Sequence, residues 1–223
     1  MATPRNRMLD VLSEDKFRSA LSVELKGMSG QLTHPTVESV GVILGHWYHP
    51  LHYFPAFLSR LVSVAPSIEA QTFISRILWQ ELGQGDPALA HEKIYIDTMT
   101  NAGFPCDQVT GSPAFRATSD LLNGYETASI DYLFGLGFLY GTEVADLAMV
   151  SSIGAVVRKC TGKQNLPWVD IHVEQEPDHV ATSVKTLMLT FSHDEQGKIV
   201  SAAEEMWSLW RAFFAELKGR VFQ

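Results

Sequence analysis

The chain has 223 residues, of which 46% are hydrophobic and 19% charged, a balance typical of a globular protein with a sizeable core. The net charge of −8 argues against nucleic acid or an anionic membrane surface as a partner. Two cysteines that lie far apart in sequence, Cys106 and Cys160, suggest no disulfide framework. Their number, and the lack of a signal-peptide pattern at the start, predict a cytoplasmic protein.

Helical periodicity runs along the whole chain, and we find no alternating strand pattern of convincing length. Helices are predicted, in chain order, over residues 13–26, 36–64, 67–83, 87–102, 112–123, 128–159, 168–191 and 197–218. Ser13 is the predicted N-cap of the first, while Pro50 and Pro55 should bend or split the second. The sequence therefore predicts one all-α domain over residues 1–223, a bundle of about seven to eight helices.

The most apolar segment, residues 130–157, contains the acidic residues Asp131, Glu143 and Asp146. These charges indicate a buried helix rather than a membrane span. A carboxylate such as Glu143 in so apolar a stretch must be paired, protonated or coordinated. Three glycines in the same run allow close helix packing or leave room for a ligand beside Glu143: Gly135, Gly137 and Gly141.

The stretch WVDIHVEQEPDHV places His172, Glu176 and His179 at positions i, i+4 and i+7. On a helix these positions share one face, within roughly 60° of one another. Such polar side chains either face water or have their charge compensated inside the protein. Pro177 lies among them, so it either kinks this helix or opens a new helix that leaves His172 outside.

Three further residues of metal-ligand type lie in apolar helical segments, namely Glu81, His91 and Glu143. Taken singly, each has an ordinary explanation as a solvated or hydrogen-bonded residue. Together with the stripe they provide three carboxylates and three imidazoles on four helical segments. Mixed nitrogen and oxygen ligands suit iron or manganese, and helical bundles are where carboxylate-bridged di-iron sites are built. The paired Glu-x-x-His motifs of ferritin-like proteins are missing.

The order Glu81, His91, Glu143, His172-x3-Glu176-x2-His179 resembles that of the haem-oxygenase-like di-iron oxidases and oxygenases. The resemblance extends over about residues 40–184 and includes the aromatic segment HWYHPLHYFPAFLSRL. It implies a haem-oxygenase-like fold, two ferrous ions and O2 as co-substrate. By the same resemblance, one iron takes Glu81, His91 and a bridging Glu143, and the other takes Glu143 and the stripe. Glu92 is the alternative to His91.

The resemblance also implies a function, because such enzymes often oxidise free amino acids or fatty acids. We expect a small, aliphatic free amino acid to undergo C–H activation, with desaturation or oxidative C–N ring closure, in specialised-metabolite biosynthesis. N-oxygenation and oxidative C–C cleavage are the alternatives within the family. An external electron donor is expected, and a homodimer is left open. A metal-free haem-oxygenase-like protein that binds or degrades a small, thiamin-like molecule is the alternative outside it.

The substrate's carboxylate would need a cation, for which Arg76 is the candidate, because Arg158 and Lys159 lie far along the chain from Glu143. Four apolar residues are expected to surround an aliphatic side chain: Trp79, Phe138, Leu139 and Met149.

A rival metal site is suggested by His46, His49 and His52, which lie three residues apart in HWYHPLHYF. This spacing invites a zinc proposal, but Pro50 interrupts the helix through it and the HExxH pattern is missing. We therefore expect the aromatic residues of this segment to line the core or a substrate cavity, and some of the histidines to face water. A thiolate reaction is not expected from Cys106 or Cys160, since neither belongs to a CxxC pair.

Overall fold

The computed structural model describes residues 7–221, apart from the side chain of Ser29, and in that part of the chain all regular structure is helical. Residues 1–6 and 222–223 of the predicted domain lie outside the described residues. The α-helices are α1 Arg7–Ser13, α2 Lys16–Gln31, α3 Val37–Val64, α4 Ile68–Glu81, α5 His91–Ala102, α6 Cys106–Thr110, α7 Arg116–Ala128, α8 Tyr132–Thr161, α9 Pro167–Leu187 and α10 His193–Val221. Eight of these have 12 or more residues, which confirms the all-α bundle.

Side-chain caps explain where the first long helices begin. The cap of α2 is Asp15, whose Oδ1 accepts from the backbone N–H of Phe17 at 2.7 Å. The prediction that Ser13 caps this helix was wrong, because the Ser13 hydroxyl donates to the carbonyl of Asp10 instead. Thr36 caps α3 in a capping box with Ser39.

The prolines of α3 do not split it, since Pro50 and Pro55 lie within one continuous helix from Val37 to Val64. The segment predicted as one helix over 87–102 is instead a 3-10 turn, Pro87–Leu89, followed by α5. The two are separated by Ala90, whose ψ of 138° is extended. The short helix α6 was not predicted.

Helix α8 is the central element, packed against α2, α3, α9 and α10. It is long and apolar enough to cross a membrane by length and composition, but 67% of its most apolar window is buried inside the bundle, as expected of a core helix. Its glycines allow close packing: a Cβ at Gly137 would lie 2.4 Å from the Ile199 carbonyl oxygen of α10. Helix α9 packs on α4, α5 and α8, so three other helices contact it along its length.

Candidate metal centre

The six predicted site residues come together inside the bundle, although α4, α5, α8 and α9 supply them from distant parts of the sequence. Each has at most 7% of its surface exposed. Glu81 ends α4, His91 begins α5, Glu143 lies in mid-α8, and the stripe lies on the buried face of α9. The structure thus decides one alternative left open by the sequence: the stripe faces the interior rather than water.

The loop between α4 and α5 brings His91 back to Glu81. Gly83, Gln84 and Gly85 all have positive φ values, of 81°, 58° and 94°, so the chain turns sharply after the helix. A Cβ at Gly83 would lie 2.2 Å from the Asp86 carbonyl oxygen, which explains why glycine stands there. The turn lets the ten-residue gap close into a contact of 3.1 Å between His91 Nδ1 and Glu81 Oε2.

The alternative ligand Glu92 lies away from the cluster. Its Oε1 accepts a hydrogen bond from the Tyr48 hydroxyl at 2.9 Å, and its Oε2 lies 3.0 Å from His52 Nδ1. Of the two neighbours on α5, His91 is therefore the one that faces the other site residues.

His179 joins the carboxylates of three helices. Its Nδ1 lies 3.4 Å from Glu143 Oε2, 3.6 Å from Glu81 Oε1 and 3.8 Å from Glu176 Oε2. The His91 ring lies 6.0 Å from the His179 ring and 4.7 Å from that of His172, between centroids. Glu143, Glu176 and His179 offer one ligand atom each within 4.8 Å of one another, close enough to share an ion.

Hydrogen bonds behind the cluster orient two of the imidazoles. The Nδ1 atom of His172 lies 2.7 Å from the carbonyl oxygen of Trp168, one turn back on α9, and His91 Nε2 lies 3.2 Å from Gln175 Oε1. When each of these nitrogens carries the proton and donates it, the other nitrogen is an unprotonated lone-pair donor aimed at the carboxylates. This is the arrangement by which metal-binding histidines are usually held.

Asp146 is a seventh member of the cluster, a role that the sequence did not predict. Its side chain is 16% exposed, and its Oδ2 lies 3.7 Å from His172 Nε2. The signal was present, because Asp146 follows Glu143 by three residues in the same apolar helix and so lies on the same face. From the sequence, its charge indicated only that the apolar segment is a buried helix rather than a membrane span.

Burial and charge shift the pKa values across the cluster in opposite directions. Burial alone would raise the pKa of Glu81, but the nearby His91 lowers it to about 2. Burial alone would lower the pKa of His179, but Glu143 and Glu81 raise it to about 9. Burial and the charge of Glu81 raise the pKa of Asp146 to about 7, and burial raises that of Glu176 well above its usual range. The cluster therefore holds protons that a bound cation would have to displace.

Buried oxygens without a hydrogen-bond partner indicate that the donor set fits a metal. One oxygen each of Glu143, Glu176 and Asp146 is buried and makes no hydrogen bond in the described part of the chain. Leaving such atoms unpaired costs about 1–3 kcal/mol each, and more when they are charged. Hard carboxylate oxygens and imidazole nitrogens that face one another in this way match the donors that iron and manganese prefer.

Pro177 lies inside α9, between Glu176 and His179, so the alternative that it opens a new helix was wrong. His172 belongs to the same helix, which runs from Pro167 to Leu187. The proline ring removes the N–H that would bond to the carbonyl of Val173. Helix α9 therefore lacks one backbone hydrogen bond in the segment between its candidate ligands His172 and His179.

Two spaces flank the cluster, and Glu143 and Glu176 line both. One is a small cavity of about 30 Å3, walled by Trp47, Phe54, Tyr125 and Trp210 among other residues. At roughly 10–15 Å3 for each water molecule, it has room for about two waters. The other is a groove of about 270 Å3 among α2, α8 and α9.

The four apolar residues expected to surround an aliphatic side chain line neither space. Trp79 is 53% exposed and lies on the outer face of α4, while the other three are fully buried in the core: Phe138, Leu139 and Met149. That expectation was wrong because closeness to a ligand along a helix does not tell which side of the helix borders a cavity.

Arg76 is not free to bind a substrate. Its Nε and Nη2 atoms donate to the two carboxylate oxygens of Asp178 at 3.0 Å and 3.1 Å. Asp178 also accepts from Gln80 Nε2 at 3.3 Å, so this group joins α4 to α9 next to Glu81 and His179. Arg76 therefore serves as a link between two ligand-bearing helices, and the prediction that it awaits a carboxylate was wrong.

The rival histidines of α3 do not converge on one point. His46 Nδ1 lies 3.2 Å from the Thr118 hydroxyl, and His49 Nε2 lies 2.8 Å from the Ser112 carbonyl oxygen. His52 is exposed on the protein surface beside Glu92. Each ring has its own local partner, so the structure gives this triplet no shared metal position.

Taken together, the fold and the site define a class: an all-helical bundle with a buried cluster of carboxylates and histidines that fits iron. Over residues 42–211 the sequence matches the family described as iron-containing redox enzymes. The chain belongs to this family.

Solved structures support the fold. The chain is similar to a CADD-like protein of unknown function from Nostoc punctiforme, with a TM-score of 0.80 and 14% identity over 97% of this chain and 96% of that one. It also resembles a domain of unknown function with a haem-oxygenase-like fold from Shewanella denitrificans, with a TM-score of 0.69 and 14% identity over 95% and 87% of the two chains. The haem-oxygenase-like fold predicted from the sequence is thereby confirmed.

A more distant similarity is to a TenA homologue from Pseudomonas syringae, with a TM-score of 0.62 and 11% identity over 98% of each chain. No curated protein matches the sequence.

Proposed function

We propose that this protein is a non-haem di-iron oxidase that uses O2 to oxidise a small organic substrate. The observation that carries the proposal is the buried cluster, in which three carboxylate oxygens have no hydrogen-bond partner beside three inward-facing histidines. Membership in the iron-containing redox enzyme family supports the choice of metal. The residues that would hold two ferrous ions are Glu81, His91, Glu143, His172, Glu176 and His179.

The charge of the cluster supports two ions rather than one. Two ferrous ions carry four positive charges, and Glu81, Glu143, Glu176 and Asp146 together supply four negative ones when ionised. Burying uncompensated charge costs several kcal/mol per ion, so a balanced site is favoured. When bound, a ferrous pair would supply the electrons that activate O2.

The protein's own residues prepare the site for this chemistry. Trp168 and Gln175 fix the two imidazole orientations, and the pair Arg76–Asp178 ties α4 to α9 beside them. The surrounding core excludes bulk water, so side reactions of a reactive oxidant with solvent are limited. The small aromatic cavity is of a size for a diatomic molecule or waters, and the larger groove is the better match for a substrate.

For the substrate, we propose a small aliphatic free amino acid that undergoes C–H activation, with desaturation or C–N ring closure, in specialised-metabolite biosynthesis. N-oxygenation and oxidative C–C cleavage are the alternative reactions of the same site. Electrons would come from an external donor in the cytoplasm, and the protein would work alone or as a homodimer, without nucleic acid or membrane. The resemblance of the ligand order to haem-oxygenase-like di-iron oxidases supports this class.

An anaerobic titration with ferrous ion tests the proposal directly. Binding should saturate near two equivalents per chain, and admission of O2 should then produce a transient visible absorption band. Saturation at one equivalent, or tight zinc binding without any response to oxygen, would contradict it. Incubating the iron-loaded protein with a panel of amino acids under O2 then identifies the reaction by mass: about 2 Da lost for desaturation or ring closure, about 16 Da gained for oxygenation.

A metal-free protein that binds or degrades a small thiamin-like molecule is the second candidate. The similarity to a TenA homologue favours it, together with an aromatic cavity next to acidic residues. It leaves the partnerless oxygens of the cluster without a role. Purification from iron-supplemented cells distinguishes this metal-free protein from a di-iron oxidase. The metal-free candidate requires purified protein that is fully active and contains no metal.

A further inference from the structure

The groove among α2, α8 and α9 joins the cluster to the protein surface. Its walls are Glu143 and Glu176 from the cluster, four apolar or aliphatic residues and one basic residue: Val144, Leu147, Pro177, Val180 and Arg18. Glu143 and Glu176 belong to the cluster, whereas Arg18 comes from α2, which contributes no candidate metal ligand. One small molecule in this groove would therefore touch both Arg18 and the cluster.

Arg18 is the arginine that lines the groove, and its guanidinium has no acidic partner; the other arginines within residues 7–221 that lack one, Arg7, Arg158 and Arg211, lie away from the groove. Four others lie within 4.0 Å of a carboxylate, in the pairs Arg60–Glu126, Arg76–Asp178, Arg116–Asp120 and Arg220–Glu216. Within residues 7–221, no carboxylate oxygen lies that close to the Arg18 side chain, which is half-buried. The nearby Asp15 accepts from the backbone of Phe17 and of Arg18 itself.

We infer that Arg18 binds the carboxylate of the substrate, and that the groove holds an aliphatic monocarboxylate with its chain between Arg18 and the cluster. A guanidinium presents a planar fork of donors that matches the two oxygens of a carboxylate. Val144, Leu147 and Val180 provide an apolar wall for the chain. This inference rests on the proposed function and deepens it, since it gives the amino-acid carboxylate the cation that Arg76 does not provide.

Size and charge favour this occupant over others. The aromatic cavity, at about 30 Å3, is too small for an amino acid, whereas the groove offers about 270 Å3, close to the roughly 300 Å3 at which ligand pockets begin. A neutral molecule would leave the guanidinium without a partner.

The test compares hexanoate with its neutral analogue hexanamide in calorimetric binding to iron-loaded protein under anaerobic conditions. Wild-type protein should bind hexanoate at least about ten-fold more tightly than hexanamide, since charge-assisted hydrogen bonds are about twice as strong as neutral ones. Arg18→Met should lose about ten-fold or more in hexanoate affinity, with hexanamide unchanged, and Arg18→Lys should lose less. Arg116→Met, which removes the same charge at a side chain that is 92% exposed on α7, should bind like wild type.

Three results would overturn the inference: hexanoate binding that is equal in wild type and Arg18→Met, no hexanoate binding at all, or inorganic phosphate that binds more tightly than hexanoate. If Arg18→Met loses helix content, Leu147→Trp gives a second reading, because it fills the groove while Arg18 stays in place. Iron is measured on the same samples. Two irons without carboxylate discrimination refute the inference alone, whereas protein that takes up no iron refutes the proposed function, and the hexanoate comparison can still be made without metal.

Discussion

Two histidine-rich helical segments in this protein have opposite surroundings. The α3 segment (His46, His49 and His52) and the α9 segment (His172, Glu176 and His179) both have ring side chains repeated at helical spacing. In the α3 segment, each ring has its own partner on a different element. In the α9 segment, all three side chains are buried and point towards carboxylates of other helices.

The difference teaches that helical spacing produces a shared site only when other elements converge on the same face. Helix α9 packs on α4, α5 and α8, each of which contributes a ligand-type residue. The segment of α3 instead divides its histidines among α7, the loop before α7, and α5. Burial alone would lower the pKa of both His46 and His179. With His49 beside it, the pKa of His46 falls to about 4, whereas the carboxylates Glu143 and Glu81 raise that of His179 to about 9.

The largest expected effect is on oxygen turnover, when one ring is removed from the α9 segment and, as a control, one from the α3 segment. His179→Ala should reduce oxygen turnover at least about 100-fold and lower the iron content below two, since even residues behind metal ligands cost 10–100-fold when changed. Circular dichroism should show nearly unchanged helix content. His52→Ala, in the α3 segment, should keep full turnover. If His179→Ala retains two irons and full turnover, the α9 segment is no more a metal site than the α3 segment.

Charge alone can be tested with Glu176→Gln, which keeps the size of the side chain but removes its anion. We expect iron to bind about 10–100-fold more weakly, because one of four negative charges that offset the metal is lost. The matched control is Glu174→Gln, two residues back on the exposed side of α9. Equal iron affinities for the two variants, measured by competition with a chelator, would show that the charge of Glu176 does not contribute to metal binding.

Hydrogen exchange should also separate the two segments. Ferrous ion should slow exchange of amides between residues 173 and 181 at least about ten-fold, because binding to the closed state shifts the local opening equilibrium. The missing hydrogen bond at Pro177 makes this part of α9 the easiest to open. Amides of residues 46–52 should not respond. Identical responses in both segments, or none in α9, would contradict a metal site there.

The smallest effect should appear in stability between pH 7 and 9. The pKa of His179 is raised from 6.5 to about 9, so its contribution is complete below pH 6.5 and is lost as the pH rises through 9. The pKa of Asp146 is raised from 3.8 to about 7, so most of its contribution is lost as the pH rises to 7 and only the remainder is lost just above pH 7. Metal-free protein should therefore melt a few degrees lower at pH 9 than at pH 7.

The α3 segment supplies the contrast for this measurement. His46 is neutral in the folded protein well below pH 7, so its replacement should leave the pH dependence unchanged. Asp146→Asn should reduce the loss of stability with rising pH, and iron should oppose it, because metal replaces the protons. A melting temperature of metal-free protein that rises from pH 7 to 9 would show that the cluster does not hold these protons.

Much of the fold followed from the sequence because helices are local structures. Apolar residues at helical spacing located the long helices to within a few residues, and the structure shows that two of them begin at the caps Thr36 and Ser67. The errors arose where local signals compete. Asp15 outcompeted Ser13 as a cap, and Ala90 broke a helix that periodicity alone would continue.

The sequence by itself predicted six of the seven residues of the candidate site, because carboxylates and imidazoles in apolar helices are costly and therefore conspicuous. Only the tertiary structure decided how they meet, since contacts such as Glu81–His179 depend on the packing of α4 on α9. The tertiary structure also placed Asp146 in the cluster, paired Arg76 with Asp178, and left Arg18 without an acidic partner at the groove. Sequence reveals the chemistry of each side chain, whereas its partner is set by long-range packing that no local pattern encodes.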